Sequence, residues 1–117
     1  MRAASYMHAN LGGGRVTLYM KTTEVPENGV YVVNVGVAFC SPLDQFVKSV
    51  GRNKAKGNVL KKSPAYTFTI SVPANERIKD YVYEEFLRLC EARNFSGQPE
   101  TVVPSWAQKA AMEGWPA

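Results

Sequence analysis

Six cations fall between Gln45 and Asn75 without one acidic neighbour: Lys48, Arg52, Lys54, Lys56, Lys61 and Lys62. The 117-residue chain carries 14 Lys and Arg against 10 Asp and Glu, so everything outside this segment holds eight basic and ten acidic groups. A basic segment on a mildly acidic body points to a local anionic partner rather than to general solubility. Arg52 is the only arginine there. Its planar fork can hold a phosphate through two parallel hydrogen bonds, which makes it the first candidate phosphate ligand. Lys48 and Lys56 lie one helical turn to either side and add point charges. Asn53, Asn58 and Gln45 offer amide groups suited to the hydrogen-bonding edge of a base. The plainer reading of the same six charges is a solvated basic helix face.

Catalytic chemistry finds few candidates. His8 is the single histidine, and Cys40 and Cys90 stand far apart in the chain. A metal site needs such ligands clustered at short spacing, so none is expected. Asp44 could pair with Glu84 or Glu85, but a helix-capping role accounts for Asp44 more simply. The Gly12-Gly13-Gly14 run precedes a strand-like segment and is not followed by Lys-Ser or Lys-Thr, so it is no phosphate loop. No nucleophile elbow is present either. The expectation is a binding protein without catalytic residues, metal or cofactor.

The elements that must position the basic segment can be read from periodicity. Arg15–Lys21 alternates, with Val16, Leu18 and Met20 on one face, as a half-exposed strand does. Asn28-Gly29 supplies turn chemistry. Tyr31–Phe39 is nearly continuous in apolar and β-branched residues, the pattern of a central strand covered on both faces. Asn34 and Gly36 interrupt it, and packing of a helix backbone explains that glycine better than a ligand does. Ser41-Pro42-Leu43-Asp44 reads as a helix start, with Leu43, Phe46, Val47 and Val50 as the buried stripe and Gly57-Asn58 as the stop. Tyr66–Val72 alternates as a third strand. Asn75 is placed to cap a helix running to Arg93, with Ile78, Tyr81, Val82, Phe86 and Leu89 inward. A short helix from Pro104 to about Gly114 carries Trp106 and leads to Trp115. The order β-β-α-β-α-α predicts an α+β domain: a small antiparallel sheet with helices packed on one face.

Length allows one domain, taken as residues 15–117 behind a flexible leader at 1–14. Hydrophobic residues at 45% and charged residues at 21% exclude a disordered chain. No apolar run is long enough to cross a bilayer, and Met1–Gly14 lacks a signal-peptide core, which points to the cytoplasm and to cysteines kept as thiols. A thin sheet with two open edges, together with the late apolar residues Trp106, Met112 and Trp115, predicts a homo-oligomer. A tail wrapping its own core is the competing reading.

Tyr31, Phe39, Tyr66 and Phe68 occupy strand positions where core packing is the usual fate, and Tyr19 is left as the lone outward aromatic. That is poor equipment for stacking an extended single strand. A net charge of +4 is modest for a duplex binder. A small phosphorylated ligand suits the inventory better, with a single-stranded nucleic-acid binding protein of a phage replication module as the alternative.

The stretch Val35-Gly-Val-Ala-Phe-Cys-Ser-Pro-Leu-Asp-Gln-Phe-Val-Lys48, continuing through Gly51-Arg52 and Ala55-x-Gly57, resembles a pattern in small tailed-phage proteins. The chain is most similar to the first-described Thoeris anti-defence family. That resemblance implies a non-enzymatic sponge, a symmetric oligomer of the hexameric kind in the cytoplasm of a bacterial host. Such a sponge captures cyclic ADP-ribose isomers and, in some members, cyclic oligonucleotides, and so blocks anti-phage defence. It also implies that Arg52 binds phosphate. The chain departs from the pattern at Asn58, where an arginine is expected, which removes one implied phosphate contact.

Overall fold

The computed structural model describes residues 4–23, 26, 28–92 and 103–114. Four strands, β1 (Ala4–Leu11), β2 (Gly14–Thr22), β3 (Val30–Cys40) and β4 (Thr67–Pro73), form one antiparallel meander in that order. Three α-helices accompany it: α1 (Lys48–Leu60) between β3 and β4, then α2 (Ile78–Ala92) and α3 (Ser105–Gly114). The α+β class and the antiparallel sheet are as the periodicity predicts. Three features differ.

The leader is a strand. Gly12 and Gly13 both have positive φ, at 57° and 86°, and Leu11 pairs with Gly14 across them. This is a two-residue hairpin turn of the kind that matches strand twist. The glycine triplet is therefore the turn itself, and the domain includes β1. Its alternation is weak because apolar and polar residues are mixed on both faces of an edge strand. Asn28 and Gly29 also adopt positive φ, as their types predict.

The helices divide between the two faces of the sheet. Val16, Leu18 and Met20 of β2, Val33, Val35 and Val37 of β3, and Phe68 and Val72 of β4 join Val82, Phe86, Leu87 and Cys90 of α2 and Ala107, Ala110 and Ala111 of α3 in the main core. On the other face, α1 seats Ala55 and Val59 against Tyr6, Tyr19 and Ala38. A small antiparallel sheet whose central strand is apolar on both sides needs cover on both sides. Tyr19 is accordingly buried beneath α1 at 6% exposure rather than facing outward. Trp106 is partly buried against the main core and meets Phe39 edge-on at 6.1 Å, so this residue serves its own chain. Trp115 and Arg93 lie outside the described residues.

The helix after Pro42 starts later and buries a different stripe. The Ser41 hydroxyl accepts from the Leu43 amide at 3.1 Å, and the Ser41 carbonyl accepts from the Asp44 amide at 3.0 Å, but this turn does not propagate. Leu43 is 95% exposed, and Val47 and Val50 are nearly half exposed. The face that α1 crosses is made of small groups, Thr17, Gly36 and Ala38, so the helix comes in close on Gly51 and Ala55. A Cβ at position 36 would strike the Ala55 carbonyl, and one at 51 would strike the Thr17 side chain. Val59, one turn past Ala55, is the branched residue that packs there, while Val47 and Val50 stay outside this seat. Helix α1 also runs past Gly57-Asn58. The Lys62 amide donates to the Val59 carbonyl and the Ser63 amide to the Asn58 carbonyl, with Lys62 at φ 54°. This closure is one that usually uses glycine.

These seats give opposite expectations for two glycines. Gly36→Ala should destabilise the protein by about 2 kcal/mol, because helix backbone must shift to admit the methyl group. Gly57→Ala has open space around it and should stabilise by about 0.5–1 kcal/mol through helix propensity. Urea denaturation midpoints of the two variants check both signs.

Candidate functional site

Seating α1 on Gly51 and Ala55 turns its polar residues to two different sides. On the side toward β1, the charges of Lys48 and Arg52, with Arg15 of β2, act on His8. Its Nδ1 shares a hydrogen bond with the Thr17 hydroxyl at 2.9 Å. Its Nε2 is buried and has no partner among the described residues. The Phe46 ring stands edge-on to the imidazole at 5.5 Å, and the Arg15 guanidinium lies over that same ring at 5.1 Å. Burial first, and then the three neighbouring cations, lower the His8 pKa below 6.5. Both effects favour the neutral imidazole.

On the opposite side, α1 overhangs the end of β3. A groove of about 630 Å³ opens there between Lys54, Asn58 and Lys61 of α1, Phe39 of β3, Tyr66 and Pro104. Asn53 and Gly57 complete its helix side. No acidic residue lines it among the described residues. A smaller cavity of about 220 Å³ lies under the Asp44–Val47 segment, lined by Gln45, Phe46, Val50, Lys54 and the β3 residues Ala38, Phe39 and Cys40. Lys54 borders both.

The six residues singled out from the sequence are therefore not one cluster. Asn53 and Asn58 line the groove, and Gln45 lines the smaller cavity. Arg52 and Lys48 belong to the His8 side, and neither lines the groove or the smaller cavity. Lys56 is exposed and lines neither. Asn58 has a structural duty as well: its Nδ2 donates to the Val37 carbonyl at 2.9 Å, pinning α1 to β3. Lys54, Lys61 and Tyr66 are groove residues that helix periodicity alone did not select, and Phe39 borders the groove while its ring packs on Phe86 and Trp106. The signal for Lys54 and Lys61 was their spacing of seven, two turns along one helix side.

Asp44 lies beside the smaller cavity on the α1 face, whereas Glu84 and Glu85 belong to α2 on the other face, so they form no carboxylate pair. Among the described residues no group of His, Cys, Asp and Glu could hold a metal ion, and no helix is long and apolar enough to cross a membrane. Cys40 and Cys90 are both free thiols, and burial pushes the Cys90 thiol up to about 12.

The lowered His8 pKa ties stability to pH. A base that is harder to protonate folded than unfolded contributes stability that is whole above the unfolded value of 6.5 and is lost as pH falls through the lower folded value. The urea midpoint should therefore drop when measured below pH 6.5, and His8→Asn should remove that part of the drop. Family models, curated proteins and solved structures were each compared with the chain, and none matches it.

Proposed function

We propose that this chain is a non-enzymatic sponge that captures a compact phosphorylated nucleotide in the groove between α1 and the end of β3. The observation that carries the proposal is the lining of that groove. Two ammonium groups, Lys54 and Lys61, stand with two amides, Asn53 and Asn58, and one aromatic residue, Tyr66, and no carboxylate among the described residues opposes them. Ammonium groups neutralise phosphate, amides meet a base edge, and a ring offers a stacking surface. The volume falls within the range of small-molecule sites.

The resemblance at residues 35–57 narrows the class to cyclic nucleotide immune signals, namely cyclic ADP-ribose isomers and cyclic oligonucleotides. Sequestering them in the cytoplasm of a bacterial host would block anti-phage defence, and a homo-oligomer belongs to the same proposal. The short groove supports this reading over a single-stranded nucleic-acid binder, which needs a long platform of aromatic and basic residues.

Titration calorimetry with cyclic ADP-ribose isomers and cyclic trinucleotides tests it. Lys54→Ala and Lys61→Ala should each weaken binding by roughly tenfold, the loss expected of a charge-assisted phosphate contact. Arg52→Ala should stay within about threefold of the parent, because Arg52 stands on the His8 side. Complete loss with Arg52→Ala alone would move the phosphate to that side of the helix. No heat from any of these ligands, together with a mobility shift of single-stranded DNA that weakens steeply with salt, would replace the sponge with the nucleic-acid alternative.

A further inference from the structure

The outer edge of β1 is open among the described residues, since the sheet runs β1-β2-β3-β4 and begins there. Its hydrogen-bonding phase follows from two independent observations. The two-residue turn makes Leu11 and Gly14 a hydrogen-bonded pair. The Thr23 amide donates to the Val32 carbonyl at 3.1 Å, which fixes the phase of β2 against β3 and, through β2, agrees with the turn. Ser5, Met7, Ala9 and Leu11 therefore turn their backbone groups to β2. Ala4, Tyr6, His8 and Asn10 turn theirs outward.

Natural edges are usually guarded by lysine, proline or a bulge. Ala4–Leu11 contains no charged residue and no proline, and it pairs with β2 residue for residue without a bulge. The opposite edge strand, β4, ends in Pro73. Both apolar clusters also run out at β1. Met7 and Ala9 are partly buried against the main core, and Ala4 and Tyr6 against the cluster under α1. Each leaves half-covered apolar surface at the open edge.

We infer that β1 pairs antiparallel with β1 of a second copy of this chain, joining two sheets into one continuous sheet about a twofold axis at Met7. An uncharged strand meets its own copy without like-charge repulsion, and an isologous contact of this kind closes on itself. The register that pairs the most outward groups sets Tyr6 opposite the partner's His8 and Ala4 opposite the partner's Asn10. Met7 then faces the partner's Met7 as a close, non-hydrogen-bonded pair, with Cα atoms about 4.5 Å apart. Both apolar clusters continue across the seam. The groove at the far side of α1 stays open, so this pairing does not depend on what the groove binds.

Sedimentation of the full chain, combined with amide hydrogen exchange, tests the inference. The expected result is a dimer, or an even-numbered assembly built from it, in which the Tyr6 and His8 amides become protected as concentration rises. Met7→Cys in a Cys40→Ser background should form an intermolecular disulfide under mild oxidation, because the Cα spacing suits one. Asn10→Pro removes an outward amide while leaving the β1–β2 ladder intact, and should weaken self-association about tenfold or more with the folded spectrum preserved. A monomer at every concentration would overturn the inference. So would an assembly whose Tyr6 and His8 amides exchange as fast as those of exposed loops.

Discussion

The fold depends on one close approach: the backbone of α1 lying almost directly on β2 and β3. Gly36 leaves room for the Ala55 carbonyl, Gly51 leaves room for Thr17, and Asn58 ties the helix to the Val37 carbonyl. Interiors are packed to crystal-like density, so where the sheet offers Gly36 and Thr17 the helix brings its own small residues, Ala55 and Gly51, into contact. That single constraint sets the rotation of α1. It also explains why the branched residues Val47 and Val50, which periodicity alone would bury, remain half exposed.

The rotation in turn distributes the charge. Six cations on one segment cannot all share a side once the seat is chosen. Lys48 and Arg52 go toward β1, where they act on a partly buried imidazole, and Lys54 and Lys61 go toward the end of β3, where they border a groove with no opposing carboxylate among the described residues. The two sides differ in kind. The β1 side is filled by His8, Phe46 and the Arg15 guanidinium packed on one another. The β3 side is concave among the described residues, the shape a small ligand requires.

Much of the architecture was legible because it rests on local rules. The alternation of Val16, Leu18 and Met20, the unbroken β-branched run of β3 and the Asn28-Gly29 turn each have one good structural solution. The packing role of Gly36 was legible for the same reason. β1 was not, because Ser5, His8 and Asn10 break the alternation of an edge strand, and Gly12-Gly13 has the composition of flexible chain as much as of a hairpin turn. The start of α1 was not legible either. Ser41 does cap a turn, but capping stabilises a first turn without obliging the next residues to stay helical.

The amino-acid sequence by itself determined the class of fold, the central place of β3, and the existence of a basic segment with no acidic compensation, since each is a property of composition or of a short period. Only the tertiary structure decided which cations stand together. The side to which a helical residue points depends on how the helix is rotated against its neighbour, and that rotation is set by contacts between Gly51 and Thr17 and between Gly36 and Ala55, pairs separated by many residues along the chain.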